Sequence, residues 1–178
     1  MKNILFIGFV LLATQALSQL ENLHLKNALV VGQLDKEEDR YTIEVNLTEI
    51  LTQQGIKAIP SLNIMRLGSD AVLLSTDSIQ QIVKSKGVDT YILVTIRGYD
   101  KRFKPSACKD DLSTALSIGN LFPMYRDEAV SVSFEFLFYR NGQCIGTDIV
   151  KCGNVSDRDS VIKKFRKVMA RRIQNKWK

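Results

Sequence analysis

Three local signals predict an α/β fold built on a mixed sheet of about five strands. Ala28-Leu29-Val30-Val31-Gly32 is an uninterrupted apolar run, the pattern of a strand buried on both faces of a parallel sheet. Beyond the charged stretch 35–39, Ile43, Leu47, Ile50 and Leu51 recur at helical spacing. Asn141-Gly142 separates two alternating apolar segments, the strongest short hairpin signal. The element order is then β-α-β-α-β-loop-β-β-α. Right-handed crossovers place the first three strands in spatial order 2-1-3, and the hairpin extends the sheet antiparallel to give 2-1-3-4-5, covered by helices as three layers.

Each element has its own reason. The first helix carries Glu37, Glu38 and Asp39 at its start, where acids complement the helix dipole, and Gly55 provides its stop. Tyr41, Ile43, Val45 and Leu47 also alternate as a strand would, so an α+β sheet with residues 41–47 paired to the first strand is the competing fold. The helical repeat continues to Leu51, where a strand pattern breaks. Residues 56–59, closed by Pro60, form a short strand at an edge. Thr76 caps a second helix with Ile79, Ile82 and Val83 on one face, Gly87 ends it, and residues 88–97 are the third strand. A long irregular loop, 98–128, contains Lys101, Arg102, Lys104, Pro105, Cys108 and Pro123, with Leu112, Ala115 and Leu116 spaced for a short covering helix. The hairpin strands are 130–139 and 144–152, and a final basic helix spans 157–177.

Arg40, Ile43-Glu44, Leu47, Leu51, Gly55, Ala58 and Ser61, followed by Ile82, Gly87, Val88-Asp89 and Ile92-Leu93-Val94, resemble a family of small exported bacterial proteins and lipoproteins. Their α/β domain is similar to the N-terminal domain of the Tol-system propeller protein and, more distantly, to the curli secretion channel subunit. The resemblance covers roughly residues 28–98. It implies a fold and an envelope location, and no reaction. The chain departs from the lipoprotein members because no cysteine precedes Cys108.

The N-terminus reads as an export signal over residues 1–18. Lys2 gives a positive start, residues 4–13 are an uncharged apolar run, and Ala16-Leu17-Ser18 sets small residues before a cut near Gln19. The run is about half the 20 residues a spanning helix needs, and nothing later is apolar enough to span. The expectation is a periplasmic or secreted chain with a lead-in at 19–27 and one domain at 28–178.

A search for catalytic motifs finds no Gly-x-Ser-x-Gly, no His-Glu-x-x-His, no phosphate-binding Gly-x-x-x-x-Gly-Lys-Ser/Thr and no calcium loop. The single histidine, His24, lies in the lead-in. No cofactor, metal or nucleic-acid partner is expected. At the first strand-helix turn Gly32 stands alone, and Asp35, Glu37, Glu38 and Asp39 would repel phosphate from the helix start. Gln33, Arg97 and Tyr99 define an alternative ligand crevice beneath the 98–128 loop. Glu135 and Asp148 face each other in the simplest hairpin register, an arrangement that calls for a cation, a nearby base or, more simply, a slipped or bulged register. Two carboxylates alone are a poor calcium cage. Cys144 and Cys152 lie eight residues apart on one strand, about 27 Å at the usual rise, so they cannot pair. Cys108 follows the end of the third strand, the end at which the fifth finishes, and this makes Cys108 with Cys152 the candidate disulfide, set against three free thiols.

Charge is concentrated rather than spread. The formal net charge is +6. Loss of Lys2 leaves +5, while residues 163–178 hold eight basic groups and no acid, so the rest of the exported chain is −3. On the final helix Val161, Ile162, Phe165, Val168, Met169 and Ile173 form an apolar sector, opposite Lys163, Lys164, Lys167 and Arg171. Arg172 and Lys176 intrude late on the apolar side, which predicts that the last turn runs past the sheet with Trp177 free to touch a partner or membrane interface. The leading reading is a non-enzymatic envelope module that binds another envelope protein or an anionic envelope surface through this helix. The alternative is a small-ligand domain using the crevice.

Overall fold

A computed structural model describes residues 23–178 apart from Leu67 and Asn120; the signal segment and the cut near Gln19 lie outside the described residues. The sheet has five strands in the order β2-β1-β3-β4-β5. β1 (Asn27–Gln33) is central, parallel to β2 (Lys57–Pro60) on one side and to β3 (Thr90–Tyr99) on the other. β4 (Ser131–Arg140) and β5 (Gln143–Gly153) continue it antiparallel. The predicted α/β order therefore holds, and the segment that could have been a strand is helix α1 (Glu37–Gln53). Gly55 follows α1 at φ +81, the left-handed conformation a helix stop requires.

Alternation along the strands divides the core into two layers. Ala28, Val30, Ile92, Val94, Ile96, Phe134, Phe136 and Phe138 face α1 and the C-terminal helix α4 (Arg158–Arg172). Leu29, Val31, Leu93 and Tyr139 face α2 (Asp77–Ser85), α3 (Leu112–Leu116) and the 3-10 turn Ala71–Ser75. The short helix expected from Leu112, Ala115 and Leu116 is α3, and all three side chains are buried. Within α2, Val83 is buried while Ile82 is 44% exposed, so the apolar face is narrower than its sequence implies. At the hairpin, Asn141 (φ +52) and Gly142 (φ +77) take the two left-handed positions of a type I′ turn. No helix among the described residues is long and apolar enough to cross a membrane.

The hairpin register contains a bulge. Tyr139 pairs with Cys144 as drawn from sequence, but Phe138 pairs with Gly146, so Ile145 is the extra residue and every later partner moves by one. Phe136 is opposite Asp148, and Glu135 is opposite Ile149. The bulge sends Glu135 and Asp148 to opposite faces of the sheet and removes the like-charge pair.

Two sequence expectations are corrected. Cys108 is bonded to Cys144, with a Cα separation of 5.6 Å, and Cys152 is the free thiol. The 98–128 loop does not stay at the carboxyl end of β3. It turns at Asp100 (φ +55), whose carboxylate accepts from the Val130 and Ser131 amides at 2.9 Å, and runs back along the outer face of β4 and β5. Eight extended residues cover about 26 Å, the length of a strand, which carries Cys108 to the hairpin end. Cys152 is fully buried, and burial pushes its thiol pKa up to about 12.

Trp177 is also fully buried. α4 begins at a capping box in which the Ser160 amide donates to Asp157 at 2.7 Å and the Asp157 amide donates to Ser160 Oγ at 3.1 Å. The helix ends in a π-helical turn, Ile173–Trp177, that keeps Trp177 on the sheet. Its ring meets Phe136 and Phe138 edge-on at 5.0 and 4.9 Å, and its indole N–H donates to Asp148 Oδ2 at 2.8 Å. Arg172, which looked misplaced on an apolar face, holds the same carboxylate through both Nε (2.6 Å) and Nη2. Hydrogen bonding to Asp148 raises the Arg172 pKa further.

Removing Asp148 strands the indole N–H and the Arg172 partner together. Asp148→Ala should cost about 3 kcal/mol in urea unfolding, whereas Asp148→Asn, which keeps an acceptor for the indole, should cost less. In the loop-entropy account a disulfide closing 36 residues contributes about 3–4 kcal/mol. Joint Cys108→Ser and Cys144→Ser replacement should lower stability by about that amount, and alkylation of the folded oxidised protein should leave Cys152 unmodified.

Candidate functional site

The basic face of α4 is positioned by the burial of its other side. Val161, Phe165, Met169, Ile173 and Trp177 are buried at four-residue intervals, with Phe165 against Phe134 at 4.8 Å between ring centroids. Lys163, Lys167 and Arg171, also four apart, are thereby turned to solvent as one stripe, and Lys164 flanks them half-buried. Two other basic residues of the segment serve the fold. Arg166 bonds Glu49 and Asn46 of α1, each at 2.6 Å, and Arg172 bonds Asp148. Lys163, Lys164, Lys167 and Arg171 have no ion-pair partner among the described residues. At the helix start Arg158 joins Asp39 at 2.6 Å and reaches the Glu38 carbonyl and the Thr42 hydroxyl, so α4 is fastened to α1 along its length. Trp177 is withdrawn from this surface, in contrast to the sequence expectation.

The three crevice residues do not converge. Gln33 is buried beneath α3 and donates to the Ala115 and Leu116 carbonyls at 2.9 and 3.4 Å. Arg97 is the extra residue of a bulge in β3 and lies beside Glu135 at 3.8 Å. Tyr99 packs in the opposite layer, with its hydroxyl donating to the Pro123 carbonyl and the Arg126 guanidinium 5.5 Å from its ring centre. Burial pushes the Tyr99 pKa up to about 12. Each residue thus has an internal partner in a different part of the fold.

At the first strand-helix turn the position a ligand would take is filled from within. Glu44, completely buried, accepts from the Gly32 amide at 2.8 Å and from the Ser61 hydroxyl at 2.7 Å. Arg40 Nε donates to the Gly32 carbonyl at 3.1 Å. A Cβ on Gly32 would lie 3.2 Å from the Arg40 backbone, which explains why the glycine stands there. Sequence reasoning passed over Glu44, although a lone carboxylate inside the apolar sector between Ile43 and Leu47 was the available signal. A shallow depression of about 440 Å³ lies nearby, lined by Tyr41, Leu62, Asn63, Ile64, Met65 and Arg66. Among the described residues no group of three or more His, Cys, Asp or Glu side chains could hold a metal ion, and His24 is exposed.

Burial is the largest influence on Glu44 and raises its pKa above the ordinary 4.5, while the Gly32 and Ser61 hydrogen bonds and Arg40 pull the other way. Between 4.5 and the raised value the folded chain binds a proton that the unfolded chain has released, so stability falls as pH rises through that window. Glu44→Gln should flatten this part of the profile of urea midpoint against pH. Glu44→Ala should cost about 1–3 kcal/mol, because the buried Gly32 amide loses its acceptor.

No protein-family model and no curated protein matches the chain. Among solved structures it is similar to lipoprotein GNA1162 from Neisseria meningitidis, with 13% identity and a TM-score of 0.45 over 84% of this chain and 99% of that one. It is also similar to PelC from Paraburkholderia phytofirmans, described as a dodecamer, with 10% identity and a TM-score of 0.45 over 83% of this chain and 84% of that one.

Proposed function

We propose that the chain is an exported, non-enzymatic envelope protein that works as an interaction module, with the stripe Lys163, Lys167 and Arg171, flanked by Lys164, as its contact surface. The observation that carries this reading is a row of cations without ion-pair partners among the described residues, on a helix whose other side is locked into the core. The helix backbone that carries the row is already ordered, so meeting a partner costs no backbone ordering, and that favours binding. The export segment in the sequence supports an envelope location, and the remaining net charge of −3 argues against adhesion by the whole body. The partner is an anionic envelope component, either a surface or an acidic face of another protein. The absence of any catalytic motif in the sequence supports a non-enzymatic role.

An exposed cation at an anionic surface contributes about 1 kcal/mol, reduced by salt. Replacing Lys163, Lys164, Lys167 and Arg171 jointly by glutamine should weaken cosedimentation with phosphatidylglycerol vesicles by about 100-fold or more at low salt, with circular dichroism unchanged. Loss of vesicle binding identifies an anionic surface as partner. If wild-type protein ignores vesicles but captures an acidic envelope protein in a glutamine-sensitive way, the partner is that protein. Capture of a partner equally well by wild type and variant would remove the helix from the account.

A further inference from the structure

Between β3 and α3, residues 101–111 cross the outer side of β4 and β5 without burying one side chain: each is exposed or half-buried. What they cover is polar around Ser106 and passes into Leu137 and Tyr139 towards the disulfide. Ser131, Ser133 and Glu135 of β4 and Thr147 of β5 lie at 6% exposure or less. Three attachments hold the strap. The Phe103 ring lies on Gly98, where φ is +147 and a Cβ would come within 2.6 Å of the ring. The Ser106 backbone is bonded through both of its polar groups: its amide donates to Glu135 Oε1 at 2.6 Å, and its carbonyl accepts from the Thr147 hydroxyl at 3.0 Å. The third attachment is the Cys108–Cys144 bond.

An acceptor and a donor rising from the face of a sheet to grip the amide and the carbonyl of one residue, with a side-chain-free spot for an aromatic ring three residues upstream, is a means of reading extended backbone. We propose that the strap is a disulfide-latched internal ligand. Reduction of Cys108–Cys144 frees it, and Glu135 and Thr147 then take the amide and carbonyl of one residue in another extended segment that places an aromatic residue over Gly98. The reductant is a dithiol. Its thiolate attacks one sulfur, the Cys108–Cys144 bond breaks, two electrons and two protons leave thiols at both cysteines, and the dithiol becomes a disulfide. Around Ser106 opening uncovers polar groups, so this part of the strap moves without loosening the aromatic core on the other face of the sheet, as expected of a segment of low local stability.

The test uses the full chain in three forms: oxidised, reduced with dithiothreitol, and carrying Cys108→Ser with Cys144→Ser. Amide exchange at Ser106 should rise by about tenfold or more without the bond, while Val94 and Phe136 amides keep their protection and certify the fold. A labelled synthetic peptide of residues 98–109, with serine replacing Cys108, should bind the reduced and serine forms and not the oxidised form. Adding Glu135→Gln to the serine form should weaken that binding, and so should alanine in place of Phe103 within the peptide. Equal protection of Ser106 with and without the bond overturns the proposal. So does peptide binding that is insensitive to the bond, or absent from all three forms.

Discussion

The carboxylate of Asp148, fully buried in β5, fixes the geometry on which the rest of the molecule relies. Charge cannot be left alone in that position, and three partners answer it: Arg172 through two nitrogens, the Trp177 indole, and the Ile149 amide at 2.8 Å. Arg172 and Trp177 stand at the end of α4, so their convergence fixes where the helix finishes and how it is rotated. With the capping box at the other end and Arg158 on Asp39, α4 is held at both termini, and which of its residues face solvent is no longer adjustable. The cationic stripe is a by-product of how the opposite side is fastened.

The bulge at Ile145 is part of the same arrangement. Without it Asp148 would point to the outer layer beside Glu135, and the end of α4 would meet the sheet with no acceptor for Arg172. One extra residue sorts the two acids to opposite faces and gives each an arginine, Arg172 for Asp148 and Arg97 for Glu135. The two faces then diverge in character. The α4 face is closed by aromatic packing, and the outer end of the other face by a polar, covalently tethered strap.

The hairpin and all four helices were legible in the sequence because each rests on local periodicity or turn chemistry, and the strand order followed from them through the right-handed crossover rule. Ile43 to Leu51 declared a helix by continuing past the point where alternation would fail, and Asn141-Gly142 fixed the turn. The misreadings involve distances that periodicity does not encode. The ends of β3 and β5 lie together as the strand order requires, but the loop does not stay where it leaves the sheet, because eight extended residues are enough to return along it. Trp177 was misjudged because Arg172 and Lys176 on the apolar side pointed to a last turn beyond the sheet, whereas Arg172 has a buried partner in Asp148. A straight helix also drifts about 40° per four residues, so only a relaxed one keeps Trp177 in line. The unbroken four-residue series Val161, Phe165, Met169, Ile173, Trp177 signalled a helix that relaxes to stay in contact, and the π turn is that relaxation. The partner of Arg172 lies 24 residues away on a strand, so no local pattern could pair them.

The Ile149 amide has a wider meaning. It belongs to the outer strand of the sheet, where free donors invite another strand to add, and here the preceding residue's own carboxylate occupies it. The bulge disrupts the same strand nearer the turn. At the far edge β2 is four residues long and finishes in Pro60, which has no amide to offer. Both margins of the sheet are therefore poor templates for growth. The sheet resists being lengthened by a neighbouring copy, and contacts with other molecules are left to side chains and faces.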